Sequence, residues 1–328
     1  MNLLEILFDP KASLPQKGLD YERMLADIEA SGVGPQTYYL LRKSKKLKQA
    51  PEYFEEKLKQ RFHEALLQNL FIRNQGGSIL NRFEQEGIDV IPLKGTFFAE
   101  RYMGHLGARL TSDIDLLIRP EDVQRAGDVL RELDFQKCEN DIQGHFHTSF
   151  YKDMNQSVSL NVELHWDILI EETASFDIRE FWDGAAAYEG HKHIKELSLY
   201  HTFYMICLHG WRHNLDSLKY YIDIIVLILQ LPDSFQYSRL MKDARRHKTF
   251  RRMQRTISLV YGALPMLDER VEFLYKKPSR FRKNLIAKGR KTTLADYFDF
   301  IEYQFLSFDT ARHSLKELKS WMNAPAER

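Results

Sequence analysis

Apolar residues in the first part of the chain recur at the three-to-four-residue spacing of an amphipathic α-helix. Residues 19–30 have this spacing and are followed by Ser31-Gly32, a common way for a helix to end. A longer pattern begins at Pro51, where proline is tolerated in a first helical turn, and closes at Gly87. We therefore predict an N-terminal helical region over residues 1–87. The apolar stripe of its long helix consists of Phe62, Leu66, Leu70, Ile79, Leu80 and Phe83.

The hydrophobic period changes after Gly87, from that of a helix to that of strands alternating with helices. We therefore predict a compact mixed α/β domain at residues 88–198. Short β-rich or alternating runs predict strands at 88–93, 113–118, 146–151 and 157–166. Helical patterns predict helices at 96–102 and 120–133.

The helical period returns after residue 199 and continues to the end of the chain. The fold class predicted from the whole pattern is α+β, with a mixed-sheet core at 88–198 between the helical regions 1–87 and 199–328. The candidate C-terminal helices are 200–211, 218–231, 237–247, 249–261, 295–305 and 315–321.

The composition argues against a disordered, a disulfide-rich or a membrane-spanning protein. Of the 328 residues, 44% are hydrophobic and 28% are charged, which is enough apolar material for a core and no sign of a disordered chain. Only two cysteines occur, Cys138 and Cys207, so a disulfide framework or a cysteine-rich zinc site is not expected. The N-terminus has no basic stretch before an apolar run, and the longest apolar run, 224–229, is too short for a bilayer. We expect a soluble cytoplasmic protein.

Charge is unevenly distributed along the chain. The net charge of +1 argues against a uniformly basic nucleic-acid binder. However, residues 242–291 contain 16 Lys and Arg against 4 Asp and Glu. Two interpretations are open: solvated helix faces, or a surface for a phosphate-rich partner such as RNA.

Three carboxylates are predicted to converge in the central region. Asp113 and Asp115 are two residues apart on a predicted strand, so their side chains leave it on the same face. Two adjacent carboxylates repel each other unless a cation lies between them, and Mg²⁺ is the natural candidate. Glu163, on a later strand whose face His165 shares, can meet them across the sheet, and three carboxylates can hold two metal ions. Alternatively, the aspartates lie in a surface turn with Ser112 as a turn residue.

Several motifs lie around these carboxylates: Leu93-Lys94-Gly95, Arg109 shortly before Asp113-Ile114-Asp115-Leu116-Leu117, and Glu163-Leu164-His165-Trp166. They resemble those of the polymerase-β-type nucleotidyltransferase superfamily, and most closely a bacterial group described as uncharacterised nucleotidyltransferases. The motifs cover residues 91–167, and a helical motif at 207–213 followed by Asp223 matches more loosely. The resemblance implies that the mixed-sheet core is a polymerase-β-like nucleotidyltransferase core.

The resemblance also implies roles for individual residues. Asp113 and Asp115 would ligate Mg²⁺, with two ions expected and Mn²⁺ as an alternative, and Glu163 would complete the metal site and help to deprotonate the attacking hydroxyl. Lys94-Gly95-Thr96 stands where better-known members have Gly-Ser, and Asp113 follows Gly95 by 18 positions, a longer interval than usual. The residues expected to bind nucleotide phosphates are Lys94, Gly95, Thr96, Arg109 and Ser112.

The implied reaction is in-line attack of an acceptor hydroxyl or phosphate on the α-phosphorus of an NTP, with release of pyrophosphate. ATP is the expected donor, although no residue selects a base. The acceptor stays open between a small hydroxylated molecule, a protein side chain, and an RNA end that contacts residues 242–291. The alternative is a non-catalytic protein that keeps the fold as a nucleotide-sensing or protein-interaction module.

Three residues are candidates for an acceptor pocket: His165, His213 and Asp223. Asp223 interrupts an apolar helix, where a charge is costly unless it is paired, and Lys219 four residues earlier is one candidate partner. His213 shares a helix face with His209, but no HExxH motif is present, so a structural role is the preferred interpretation of this pair.

Two further histidines, His145 and His147, flank Phe146 on a predicted strand. Histidines at this spacing can bind a metal ion, but the sequence shows no third ligand. A structural role is therefore the preferred interpretation here as well.

Overall fold

The architecture comes from a computed structural model, which describes residues 2–139, 146–155, 158–169, 173–277 and 294–323. Four helices precede the sheet: α1 (Leu3–Phe8), α2 (Gly18–Ser31), α3 (Gly34–Lys43) and α4 (Glu52–Glu86). The predictions of a helix at 19–30 and of a long helix ending at Gly87 are confirmed as α2 and α4. Gly87 adopts a positive φ of 67°, a left-handed conformation that glycine reaches without steric cost.

The buried face of α4 differs from the predicted stripe in the middle of the helix. Phe62, Ile79 and Phe83 are buried, but Leu70 is 44% exposed and its neighbour Asn69 is fully buried. The side chain of Asn69 is buried because it binds three backbone groups of the loop that precedes the second strand. A hydrophobic pattern does not contain this information, so the predicted position of Leu70 is wrong.

A five-stranded mixed sheet follows α4 and confirms the predicted strands. Its order is β1-β2-β5-β4-β3, in which β2 and β5 are parallel and every other neighbouring pair is antiparallel. The strands are β1 (Val90–Pro92), β2 (Asp113–Ile118), β3 (Gln136–Lys137), β4 (His147–Asn155) and β5 (Val158–His165). The helices within this region are α5 (Gly95–Phe98), continued by a π-helical turn at Ala99–Met103, and α6 (Val123–Glu132).

The rest of the described chain is mainly helical. A short helix, α7 (Arg179–Asp183), and a two-stranded ribbon of β6 (Ala186–Ala187) and β7 (Lys195–Glu196) lead into it. The six C-terminal helices predicted from the sequence are confirmed, with shifts of a few residues at their ends. The helices are α8 (Leu199–Arg212), α9 (Leu218–Ile228), α10 (Tyr237–Arg246), α11 (Phe250–Ala263), α12 (Leu267–Arg270), α13 (Leu294–Ile301) and α14 (Ala311–Asn323). None of the helices in the described ranges is both long and apolar enough to span a membrane.

The two faces of the sheet are covered by different helices. Ile114 and Leu116 of β2 lie in one hydrophobic cluster with residues of α4 and α6. Leu117 lies in a second cluster, which is formed largely by the N-terminal helices together with α8, α9 and α11. Because side chains alternate along a strand, Asp113 and Asp115 lie on the same side as Leu117, toward the C-terminal helices. The N- and C-terminal helices thus share one core, and the predicted boundaries of the three regions stay a prediction.

Candidate active site

The parallel pairing of β2 and β5 brings the three carboxylates together. Asp115 lies directly opposite Glu163, and Asp113 lies opposite Asn161. The prediction that Glu163 meets the aspartates across the sheet is therefore confirmed. The alternative of two aspartates in a surface turn is wrong, because both belong to β2 and Asp115 is only 4% exposed.

Asp115 is the carboxylate with cationic partners. Its Oδ1 lies 2.9 Å from Nζ of Lys94 and 3.1 Å from Nε2 of His165. Burial opposes ionisation of this group, but the charge of Lys94 and the hydrogen bond from His165 outweigh it and hold the pKa of Asp115 well below its usual range. Asp115 is therefore an anion that the protein has already compensated.

Asp113 lies in a different electrostatic environment. It is half-buried, and within the described part of the chain its side chain makes no hydrogen bond or ion pair. Burial raises its pKa, and the neighbouring negative charge of Asp115 raises it further. The charges of Lys94 and Lys219 oppose this shift without cancelling it, so a bound cation would relieve the repulsion between the two carboxylates. The oxygen donors here are of the kind that Mg²⁺ prefers, so the residues fit a magnesium ion.

Glu163 and His165 form the other half of the site. Nε2 of His165 lies 3.1 Å from Oε2 of Glu163, and this hydrogen bond lowers the pKa of Glu163 despite its partial burial. His165 itself is buried, which disfavours its charged form, but the bonds to Asp115 and Glu163 outweigh burial and raise its pKa. These bonds favour the protonated form of His165, which links the two strands.

The backbone before the aspartates is tightly held. Gly95, directly after Lys94, has a positive φ of 64°, and a Cβ there would lie 3.1 Å from Cγ2 of Thr111 and 3.3 Å from the carbonyl oxygen of Asp113. Glycine is required at this position both for its conformation and for this close approach. Thr96 directly follows Gly95 and is half-buried, and Ser112 directly precedes Asp113 and is exposed. Their predicted role in binding phosphate stays a prediction.

Asn69 of α4 fixes the loop that leads into β2. Its Nδ2 donates to the carbonyl oxygens of Leu106 and Arg109, both at 2.6 Å, and its Oδ1 accepts from the backbone N–H of Thr111 at 3.2 Å. Asn69 is not among the site residues predicted from the sequence. The only signal in the sequence was a polar side chain within an apolar stripe.

Arg109 and Asp223 form a buried ion pair between this loop and α9. Nε and Nη2 of Arg109 both lie 3.0 Å from the Asp223 carboxylate, and the two residues are 3% and 0% exposed. The candidate partner weighed for Asp223, Lys219, is replaced by Arg109, whose guanidinium gives two parallel bonds that an ammonium cannot give. The structure thus places Arg109 in an ion pair near the aspartates, and a phosphate-binding role for it stays a prediction.

Helices α8 and α9 bring titratable side chains near the carboxylates: His209 interacts electrostatically with Asp115, and Lys219 with Asp113. His213 is exposed and stacks on Tyr220, with ring centroids 4.9 Å apart, and His209 lies edge-on to His213. The Arg109 charge, followed by burial, lowers the pKa of Lys219 to about 8, while Asp223 and Asp113 oppose this shift. Sequence analysis did not single out Lys219 as a site residue, yet its interaction with Asp113 places it there.

The basic stretch at 242–291 is described as far as residue 277, and its remainder lies outside the described residues. Many of its cations form ion pairs with acidic side chains. The pairs are Arg246 with Glu180 and Asp243, Arg255 with Asp299, Arg270 with Asp233, Lys276 with Asp268, and Lys277 with Glu302. The predicted contact with RNA stays a prediction.

Comparison with protein-family models matches residues 17–262 to a family described as uncharacterised nucleotidyltransferase. The match covers α2 through nearly all of α11 and includes every candidate site residue. A comparison with curated proteins found no match.

Proposed function

Because the chain belongs to this family of uncharacterised nucleotidyltransferases, we propose that it transfers a nucleoside monophosphate group from an NTP to a hydroxyl or phosphate acceptor, with release of pyrophosphate. One observation carries the proposal: Asp113, Asp115 and Glu163 meet on adjacent parallel strands. Among the described residues the side chain of Asp113 makes no hydrogen bond or ion pair, and burial and Asp115 raise its pKa, which suits a cation-dependent site.

Asp113, Asp115 and Glu163 would hold Mg²⁺, either as one ion or as the expected pair, with Mn²⁺ as an alternative. When bound, the metal supplies positive charge against the negative charge that develops on the phosphates. Lys94 forms an ion pair with Asp115, so its ammonium is positioned to neutralise a phosphate oxygen at the same edge of the sheet. Gly95 allows backbone to approach a phosphate closely, with Thr96, Ser112 and Arg109 as further phosphate contacts.

The acceptor oxygen forms a bond to the α-phosphorus while the bond from that phosphorus to the bridging oxygen of pyrophosphate breaks, and pyrophosphate leaves with the electron pair. Where the acceptor is a hydroxyl, its proton passes to the carboxylate of Glu163. The lowered pKa of Glu163 keeps this carboxylate ionised near neutral pH, so it is available to accept the proton.

The donor is expected to be ATP, and the acceptor would enter from the side of α8 and α9. His165, His213 and Asp223 are the residues proposed for the acceptor side. His213 suits direct contact because it is exposed, whereas Asp223 is buried under Arg109 and acts by holding that arginine. The acceptor class stays open between a small molecule, a protein side chain and an RNA end.

Label transfer tests the proposal. The full-length protein is incubated with Mg²⁺ and each NTP labelled at the α-phosphate, together with pools of small hydroxylated molecules, proteins or RNA, and pyrophosphate release is measured in parallel. We expect label transfer with stoichiometric pyrophosphate release, lost in Asp113→Asn and kept in Asp153→Asn, a matched change at an exposed aspartate of β4. Magnesium-dependent NTP binding without transfer to any pool would favour the non-catalytic, nucleotide-sensing alternative.

A further inference from the structure

The pairing of β4 with β5 builds a cluster of metal-ligating side chains beside the aspartates. His147 lies directly opposite His165 in this antiparallel pair, so both imidazoles leave the sheet on the same face. Their ring centroids are 5.1 Å apart. Glu163 is two residues before His165 and therefore shares that face.

The three side chains offer ligand atoms at short mutual distances. One nitrogen of each histidine and one carboxylate oxygen of Glu163 all lie within 4.8 Å of one another. His165 is buried, while His147 and Glu163 are half-buried, so a cation can enter from solvent and end against a buried ligand. The ring of Phe146, a buried residue, lies 5.9 Å from that of His165.

The donor set differs in kind from the one at Asp113 and Asp115. Magnesium prefers oxygen ligands, whereas two imidazoles and one carboxylate suit zinc and its neighbours in the first transition series. We propose that His147, Glu163 and His165 form a second cation site, selective for a divalent transition metal such as Zn²⁺, next to the magnesium site at the aspartates.

Glu163 lies between the two sites and so connects them. A bound transition metal would displace the proton on Nε2 of His165, which lies 3.1 Å from both Oε2 of Glu163 and Oδ1 of Asp115, so the hydrogen bonds from His165 to both carboxylates would be lost. Asp115 keeps its ion pair with Lys94. This arrangement makes the two halves of the site chemically unequal, with a hard, oxygen-only half on β2 and a nitrogen-rich half on β4 and β5.

The sequence alone does not reveal this cluster. It shows His147 near His145, which lies outside the described residues, and suggests no third ligand. The ligands come together only through the register of β4 against β5.

Titration with Co²⁺ alone, in the absence of nucleotide, tests the proposal. Co²⁺ is a spectroscopic substitute for Zn²⁺, so binding is followed by visible absorption and by calorimetry on the full-length chain. We expect one Co²⁺ per chain, displaced by Zn²⁺ and not by excess Mg²⁺. His147→Gln should weaken Co²⁺ binding by more than about 100-fold, beyond the roughly 10–100-fold loss typical of a supporting contact. His63→Asn, at an exposed histidine of α4, is the control and should bind as the wild type does.

Two further variants separate this proposal from a failure to fold and from the proposed function. His147→Cys keeps a metal ligand and should retain Co²⁺ with an added sulfur-to-cobalt absorption band. Asp113→Asn should bind Co²⁺ normally even though the proposed function requires Asp113 for magnesium-dependent nucleotide binding. Absence of Co²⁺ binding by the wild type, or equal binding by wild type and His147→Gln, would overturn the second site and leave the nucleotidyltransferase proposal untouched.

Discussion

Asp115 lies directly opposite Glu163 across the parallel strands β2 and β5, and its Oδ1 is bonded to both Lys94 and His165. Asp113, two residues earlier on the same face, has neither of these partners. The two aspartates of one short motif are thus electrostatically different.

The first prediction concerns the stability of the two aspartate variants. Asp113→Asn removes a charge whose pKa is raised by burial and by Asp115, so the free energy of unfolding should stay the same or increase. Asp115→Asn leaves Lys94, whose side chain is 16% exposed, without its anionic partner and should cost about 3 kcal/mol, near the low end for a broken buried pair. Urea unfolding of the two variants measures this difference, and an equal loss of stability in both would contradict the account.

The second prediction concerns the buried pair of Arg109 and Asp223. Either Arg109→Met or Asp223→Leu leaves a buried charge without a partner and should lower the free energy of unfolding by about 3–5 kcal/mol. The double variant removes both charges and should be less destabilised than the sum of the two single variants. A double-mutant cycle in urea gives the coupling energy, and additive losses would show that the pair is not energetically connected.

The third prediction concerns pH. The pKa of folded His165 is raised above its unfolded value of about 6.5, so the stabilisation due to its charge is complete below that pH and is lost as the pH rises through the folded pKa. Asp115 does not change this, because its lowered pKa places its own loss of stabilisation at acidic pH. The stability difference between wild type and His165→Gln should therefore shrink as the pH rises above about 6.5, by at most about 1.4 kcal/mol per unit. Thermal unfolding across this range measures it, and a constant or growing difference would refute a charged His165.

The fourth prediction concerns Asn69 and the loop before β2. Asn69→Leu keeps the approximate volume but leaves three backbone groups without their bonds, so it should destabilise the fold by about 3 kcal/mol. Asn74→Leu, at an exposed position of the same helix, is the matched control. Chemical denaturation compares them, and equal stabilities would mean that Asn69 does not hold the loop.

The elements of the fold were largely predictable because local periodicity determines them. The strand at 113–118 has the predicted bounds, and the C-terminal helices are shifted by only a few residues at their ends. The convergence of Glu163 on the aspartates was also predictable, since the face of each side chain follows from its position on a strand. The short strands β3, β6 and β7 were missed because two residues carry no usable period.

Contacts distant in sequence were not predictable from the residues. Arg109 and Asp223 are 114 positions apart, and the sequence offered Lys219 as a nearer partner. Asn69 lies within a hydrophobic pattern, which gives no sign that its side chain is buried. The approach of His147 to His165 depends on the register of β4 against β5. In each case the missing information is tertiary: a polar side chain satisfied by a distant group has no local signature.

Calorimetric titration of nucleotide shows whether Asp113 belongs to a magnesium-dependent nucleotide site. ATP, and then the other NTPs, are titrated calorimetrically into the wild type, Asp113→Asn and the control Asp153→Asn, with and without Mg²⁺. We expect the wild type and the control to bind nucleotide only with Mg²⁺, and we expect Asp113→Asn to lose this binding while its fold stays intact. Binding of equal strength in Asp113→Asn, or binding indifferent to Mg²⁺, would contradict a nucleotide site at the aspartates.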